Sequence, residues 1–105
     1  MFAVIYRWRI APGLEGKFEE GWRLGTSAIK RDLGGLGSRL HKTAEGVYFA
    51  YAQWPDAESF QKNRAARMPY SDPAARRLYT EALAGSEAEV VIMGEVVDDL
   101  LAARS

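Results

Sequence analysis

The sequence contains no cysteine and a single histidine, His41. Without thiols there is no disulfide framework, no thiolate metal site and no cysteine nucleophile, and the chain fits a reducing compartment. A lone histidine excludes paired-imidazole metal motifs, and no acidic calcium loop occurs, so no metal is expected. The chain also lacks an excess of either charge. Its 14 Lys and Arg balance 14 Asp and Glu, which offers no overall pull on nucleic acid or an anionic membrane surface. No apolar run is long enough to span a bilayer, and the opening "MFAVIYRWRI" carries Arg7 too soon for a signal peptide. A cytoplasmic protein is the expectation. The G-x-S-x-G elbow and the phosphate-binding P-loop are missing, and "GGLGSR" (34–39) follows a helical pattern where a dinucleotide loop follows a strand. No organic cofactor is therefore expected.

What remains is an ordinary globular composition, 48% hydrophobic and 27% charged over 105 residues. That length is one small domain, 1–105, which leaves enough surface unburied for a partner subunit to help it. "FAVIYRWRI" (2–10) alternates, with Phe2, Val4, Tyr6, Trp8 and Ile10 on one face. From Leu14 to Leu33 the residues Phe18, Trp22, Ile29 and Leu33 recur at helical spacing, with Gly25 on the same stripe and Trp22 read as core. Gly16, Gly21 and Gly25 each weaken such a helix by about 1 kcal/mol relative to alanine, so packing must hold it. "SRLHKT" (38–43), a tight turn at "AEG" (44–46) and "VYFAYAQW" (47–54) make a hairpin. Helices are expected over roughly 56–66 and from Pro73 to about Leu83, the second capped by Asp72. "AEVVIMGEVV" (88–97) is a last strand, with Ala88, Val90, Ile92 and Val96 read as one face. The tail "DDLLAARS" either frays or packs on a neighbour.

The order β-α-β-β-α-α-β predicts an α+β fold, a ferredoxin-like antiparallel sheet with helices on one face. The second face of that sheet is half apolar, with Val47, Phe49 and Tyr51 on the third strand. Burial against the sheet of an identical subunit is the simplest consequence, so a homodimer is expected.

Three strings in order, "VIYRWRIAPG", "GGLGSRLHKT" and "YAQWPDAESFQKN", resemble the antibiotic biosynthesis monooxygenase family over roughly residues 2–97. The resemblance implies a dimeric α/β barrel and, by comparison with its cofactor-free anthrone oxygenases, oxidation of a quinol or polycyclic phenol by molecular oxygen. It implies catalytic roles for His41, Trp54 and Asn63. Two positions depart from those enzymes: Ala50 stands where they carry asparagine and Phe60 where they carry tyrosine. Haem-degrading relatives place their ligating histidine on a helix, whereas His41 falls in a strand, which disfavours haem.

Chemically, Trp54, Asn63 and Tyr70 can donate hydrogen bonds to a phenolate, Arg39 and Arg67 can stabilise an anion, and His41 can act as base. Tyr51, Phe60, Arg67 and Tyr70 are the expected contacts to a small aromatic substrate. Each also has a plain structural reading: Trp54 as hairpin-end packing, Asn63 as a helix-surface amide, His41 as a strand histidine, Tyr70 as a loop anchor. Arg7 and Arg9 read as a solvated edge. Loss of the two polar groups favours a rival, a non-catalytic dimeric module that binds a hydrophobic molecule. A cofactor-free isomerase or cyclase is a third possibility. Convergence of His41, Trp54 and Asn63 on one void is the geometric requirement of the catalytic reading.

Overall fold

The computed structural model describes residues 1–101, so the last part of the tail (102–105) lies outside the described residues. The elements run β1 (Phe2–Arg9), α1 (Glu15–Leu33), β2 (Gly37–Lys42), β3 (Val47–Trp54), α2 (Ala57–Ala65), α3 (Pro73–Leu83) and β4 (Glu89–Glu95). The strands form one antiparallel sheet in the order β2-β3-β1-β4. This is the ferredoxin-like arrangement, with the helices on one face.

Local chemistry sets the boundaries. Gly34 ends α1 in the left-handed conformation at φ 82°, beyond a last turn carrying Lys30 and Arg31. Asp56 caps α2 by accepting from the Ser59 amide at 2.7 Å, and Asp72 caps α3 from Ala75 at 3.0 Å with Pro73 in the first turn.

Direct pairs in the sheet place Phe2, Val4, Tyr6 and Trp8 of β1 beside Trp54, Ala52, Ala50 and Tyr48 of β3, all facing the helices. They build two buried clusters. One joins Trp8, Ile10, Phe18 and Tyr48; the other joins Phe2, Val4, Trp54 and Phe60; Tyr6 packs against both. Aromatic pairs run through them, Phe18 to Tyr48 at 4.8 Å and Trp8 to Phe18 at 5.2 Å between centroids.

Strict alternation fails in β4. Ile5 pairs with Ile92 but Tyr6 pairs with Val90, so Val91 is an extra residue, a β-bulge. Beyond it the face flips. Met93 lies opposite Val4 on the helix side, while Ile92 shares the open face with Ile5. The expected grouping of Val90 with Ile92 is therefore corrected: a bulge is set by the partner strand, and alternation along one strand does not reveal it.

The open face carries Ile5, Phe49, Tyr51 and Ile92, with Phe49 39% and Ile92 65% exposed. Arg7 and Glu89 pair across it, the guanidinium donating twice to Glu89 Oε1 and once to Oε2 at 2.8–3.2 Å.

Helix α1 lies against α3 with no side chain between them at Gly21. A Cβ placed there would sit 2.7 Å from the Tyr79 backbone nitrogen, whereas at Gly16 it would meet nothing within 4 Å. The two glycines thus give opposite predictions. Gly21→Ala forces α3 away and destabilises by about 1–3 kcal/mol despite its better helix propensity. Gly16→Ala stabilises by about 0.5 kcal/mol. Urea unfolding midpoints of the two variants check the difference in sign.

Candidate functional site

A cavity of about 430 Å³ lies between the sheet and the helices. Its floor is Tyr6 and Trp8 of β1 with Ala52 and Trp54 of β3; its walls are α1 and α3; its mouth is α2 and the loop that follows. This size suits a ligand of a few rings, and aromatic walls are usual for such sites.

The inner wall is built around one hydrogen bond. Trp8 Nε1 donates to the Tyr79 hydroxyl at 2.8 Å. The hydroxyl oxygen is occupied as acceptor and its own proton remains available to a ligand. Tyr6 stacks on Trp8 at 5.6 Å between centroids. Burial, then the neighbouring Tyr79, pushes the Tyr6 hydroxyl up to about 12, with Arg64 acting in the opposite sense. Burial likewise raises Tyr79, partly offset by the bond from Trp8, and burial raises Tyr70. All three phenols are therefore neutral donors at physiological pH. Trp54 makes no side-chain hydrogen bond among the described residues, and no buried side-chain nitrogen or oxygen among them lacks a partner. Its indole N–H thus opens to accessible space, as does the Tyr6 hydroxyl.

The mouth is shaped by strain. Arg67 and Met68 are consecutive non-glycine residues at φ 63° and 49°, in the left-handed region. Hydrogen bonds hold them: the Met68 amide donates to Asn63 O at 2.8 Å, and Arg76 donates to the Met68 carbonyl. The turn presents Tyr70, whose ring lies 4.3 Å beneath the Arg76 guanidinium. Its hydroxyl fills the space left by Gly25, where a Cβ would be 3.2 Å away.

Of the residues expected from sequence, Trp54, Arg67 and Tyr70 line this cavity. His41 does not. It pairs with Phe49 on the open face, stacked on that ring at 4.5 Å, with Nδ1 3.3 Å from the Phe49 carbonyl. Trp54 points to the other side of the sheet, so the two do not converge within one chain. Arg39 and Tyr51 share the open face with His41, Tyr51 accepting from Gln53 Nε2 at 3.1 Å, and neither reaches the cavity. Asn63 turns back on its own helix, donating to Ser59 O at 2.9 Å, and is absent from the cavity lining. Phe60 is fully buried behind the wall, 5.9 Å from Trp54 and 6.5 Å from Tyr6 between centroids. It lies behind the lining residues and is not one of them. Trp22, expected in the core, is half-buried and lines the cavity.

Tyr6, Trp8 and Tyr79 also line the cavity, and no motif in the sequence singles them out. The first two were visible as aromatics on the helix-facing side of β1; Tyr79 carried no local signal, because its place depends on the Gly21 contact across two helices.

Among the described residues, no cluster of His, Cys, Asp and Glu could hold a metal and no helix is long and apolar enough to cross a membrane.

The fold and its chamber define a class: a small α+β protein with a ferredoxin-like sheet and an aromatic cavity beneath the helices. The chain belongs to the antibiotic biosynthesis monooxygenase family, whose profile matches residues 1–67. It is similar in structure to SnoaB, a cofactor-independent oxygenase from Streptomyces nogalater, at 18% identity over 96% of this chain and 97% of that one, with TM-score 0.67. Rv0793 from Mycobacterium tuberculosis is similar at 14% identity, over 94% and 97%, with TM-score 0.65. A Bordetella bronchiseptica protein named for the same family gives 20% identity, over 91% and 96%, with TM-score 0.67. No curated protein matches in sequence.

The raised Tyr6 value predicts an alkaline limit to stability. A proton held more tightly in the folded state gives stability that is complete below the unfolded value of about 10. It is lost as pH rises through the folded value of about 12. Urea midpoints should fall over that window, and fall less in Tyr6→Phe, with tyrosinate absorbance read in parallel.

Proposed function

We propose that the chain is a cofactor-independent monooxygenase that oxidises a quinol or polycyclic phenol with molecular oxygen. The observation that carries this reading is the aromatic cavity with unspent donors on its inner wall, Tyr79 and Tyr6 with the Trp54 indole, in a chain of this family.

Ionising a phenol of ordinary pKa, about 10, at pH 7 costs about 4 kcal/mol. Hydrogen bonds to a charged group contribute about 1.5–3 kcal/mol each, so two of these donors offset most of that cost. The described cavity holds no histidine, and the phenol's proton passes to water at the mouth. The electron-rich anion gives an electron to oxygen, and the resulting radical pair combines to a peroxide at carbon, which takes a proton back from water. For an anthrone, loss of water from that peroxide turns the methylene into a carbonyl. One oxygen atom enters the product and the other leaves as water; the substrate supplies all four electrons. The protein's part is to stabilise the anion and exclude bulk solvent.

The reading includes a homodimer through the open sheet face, supported by the exposure of Phe49 and Ile92 there. A second reading, a binding module without chemistry, is favoured by one observation: His41 and Asn63, the base and amide expected from sequence, both lie off the cavity.

Purified protein with no added cofactor should consume one oxygen per quinone formed from an anthrone, above the buffer rate. Trp54→Phe and Tyr79→Phe should each lower kcat about 10- to 100-fold, the loss of one charge-assisted hydrogen bond. His41→Ala should change it by less than about threefold, being outside the chamber. Tight binding of reduced substrates without oxygen uptake across a broad panel selects the binding module. Light scattering at micromolar concentration should give twice the chain mass; a monomer counts against the dimer.

A further inference from the structure

The chain is neutral overall, yet its cavity is not. Arg64, Arg67, Arg76 and Lys30 all line it, and Glu87 is the one carboxylate among the lining residues. Elsewhere Arg7, Lys17, Arg23 and Arg31 have carboxylate partners, while Arg9, Arg39, Lys42, Lys62 and Arg77 stand apart on the surface, so what sets the cavity apart is four cations to one carboxylate in a single lining. None of the four cavity cations has a carboxylate partner among the described residues. Two of them rest on neutral groups. Arg76 lies over Tyr70 and donates to the Met68 carbonyl, and Arg64 lies 5.8 Å from the centre of the Phe60 ring. Arg67 is held in the strained turn at φ 63°. The end of α2, the turn after it and the start of α3 thus each give the cavity lining one guanidinium, none with a carboxylate partner among the described residues.

From this we infer that the occupant is an aromatic acid: a planar ring system in the chamber, with an acidic group held at the mouth by Arg64, Arg67 and Arg76. The ring lies against Trp54, Trp22 and Tyr6, which are flat and apolar. The acid meets guanidiniums, whose planar N–H fork matches a carboxylate and loses less hydration on pairing than an ammonium does. Arg64, Arg67 and Arg76 are solvent-exposed and water solvates them beside a neutral phenol, whereas an acid gains ion pairs that a neutral phenol lacks. The two ends also divide the work: neutral phenol and indole donors face the reacting ring, and permanent cations fix its orientation from outside. Orientation from a remote charged group is what places a reacting carbon consistently beneath the donors.

The inference rests on the proposed occupancy of the cavity by an aromatic substrate, but its test is one of binding and requires no turnover. The probes are anthraquinone-2-carboxylate and its neutral carboxamide, both already oxidised, with quenching of tryptophan fluorescence as the readout. The acid should bind at least about tenfold more tightly than the amide at low salt, the size of one charge-assisted contact. The preference should shrink at about 0.5 M salt. The Arg64→Gln/Arg67→Gln pair should abolish it, with thermal melting confirming the fold, and Arg64→Lys/Arg67→Lys should restore part of it. Neither of these two arginines makes a side-chain hydrogen bond among the described residues; Arg64 also loses its place over the Phe60 ring, a contact that the lysine pair retains in part. Equal affinity for acid and amide overturns the inference, as does a preference that survives both salt and the glutamine pair. Selective acid binding without oxygen consumption by any anthrone retains the inference and defeats the oxygenase reading. Turnover of neutral anthrones with no acid preference does the reverse.

Discussion

The site depends on how closely α1 approaches α3. At Gly21 the helices meet with backbone against hydrogen, since a Cβ would stand 2.7 Å from the Tyr79 nitrogen. That approach brings the Tyr79 hydroxyl to Trp8 Nε1, and Trp8 in turn carries Tyr6 on its face. One turn further along α1, Gly25 leaves the gap that the Tyr70 hydroxyl occupies. Two glycines spaced by four residues thus set the far wall and the mouth of one chamber. Each costs its helix about 1 kcal/mol of propensity, and packing against α3 offsets that loss.

The elements were legible in the sequence because their signals are local. Alternation in β1 and β3, the Asp-capped starts of α2 and α3, and the glycine end of α1 need no knowledge of distant residues. The bulge at Val91 was not, since it is a relation between two strands. The site divides in the same way. Tyr51 and Trp54 are three residues apart on one strand, so period-two alternation alone sends them to opposite faces. His41 needed one more step, the hairpin register that pairs it with Phe49. Asn63 looked like a free donor, but four residues after Ser59 on a helix its amide reaches the Ser59 carbonyl. Tyr79 was hidden because only a tertiary contact puts it in place.

The two positions expected to depart from the anthrone oxygenases read differently in three dimensions. Ala50 is fully buried beside Trp8 and Tyr48, and Phe60 is fully buried between Trp54 and Phe2. Neither lines the cavity. An amide or hydroxyl added at either place in this chain would need a buried partner of its own before it helped a ligand. The donors that do face the chamber come from β1 and α3 instead. Loss of polarity at Ala50 and Phe60 therefore does not leave the chamber apolar.

Burial gives those donors their character. It disfavours tyrosinate, so Tyr6 and Tyr79 keep their protons; on the proposed reading a substrate phenol is the one that loses its own. A protein phenol of ordinary acidity would compete with the substrate for the negative charge; a phenol pushed to about 12 yields it to the substrate. The arginines of the lining stay charged throughout, and on the same reading they favour that anion at longer range. On the proposed reading the chamber therefore works without a histidine base, because it makes the substrate the most acidic phenol within it.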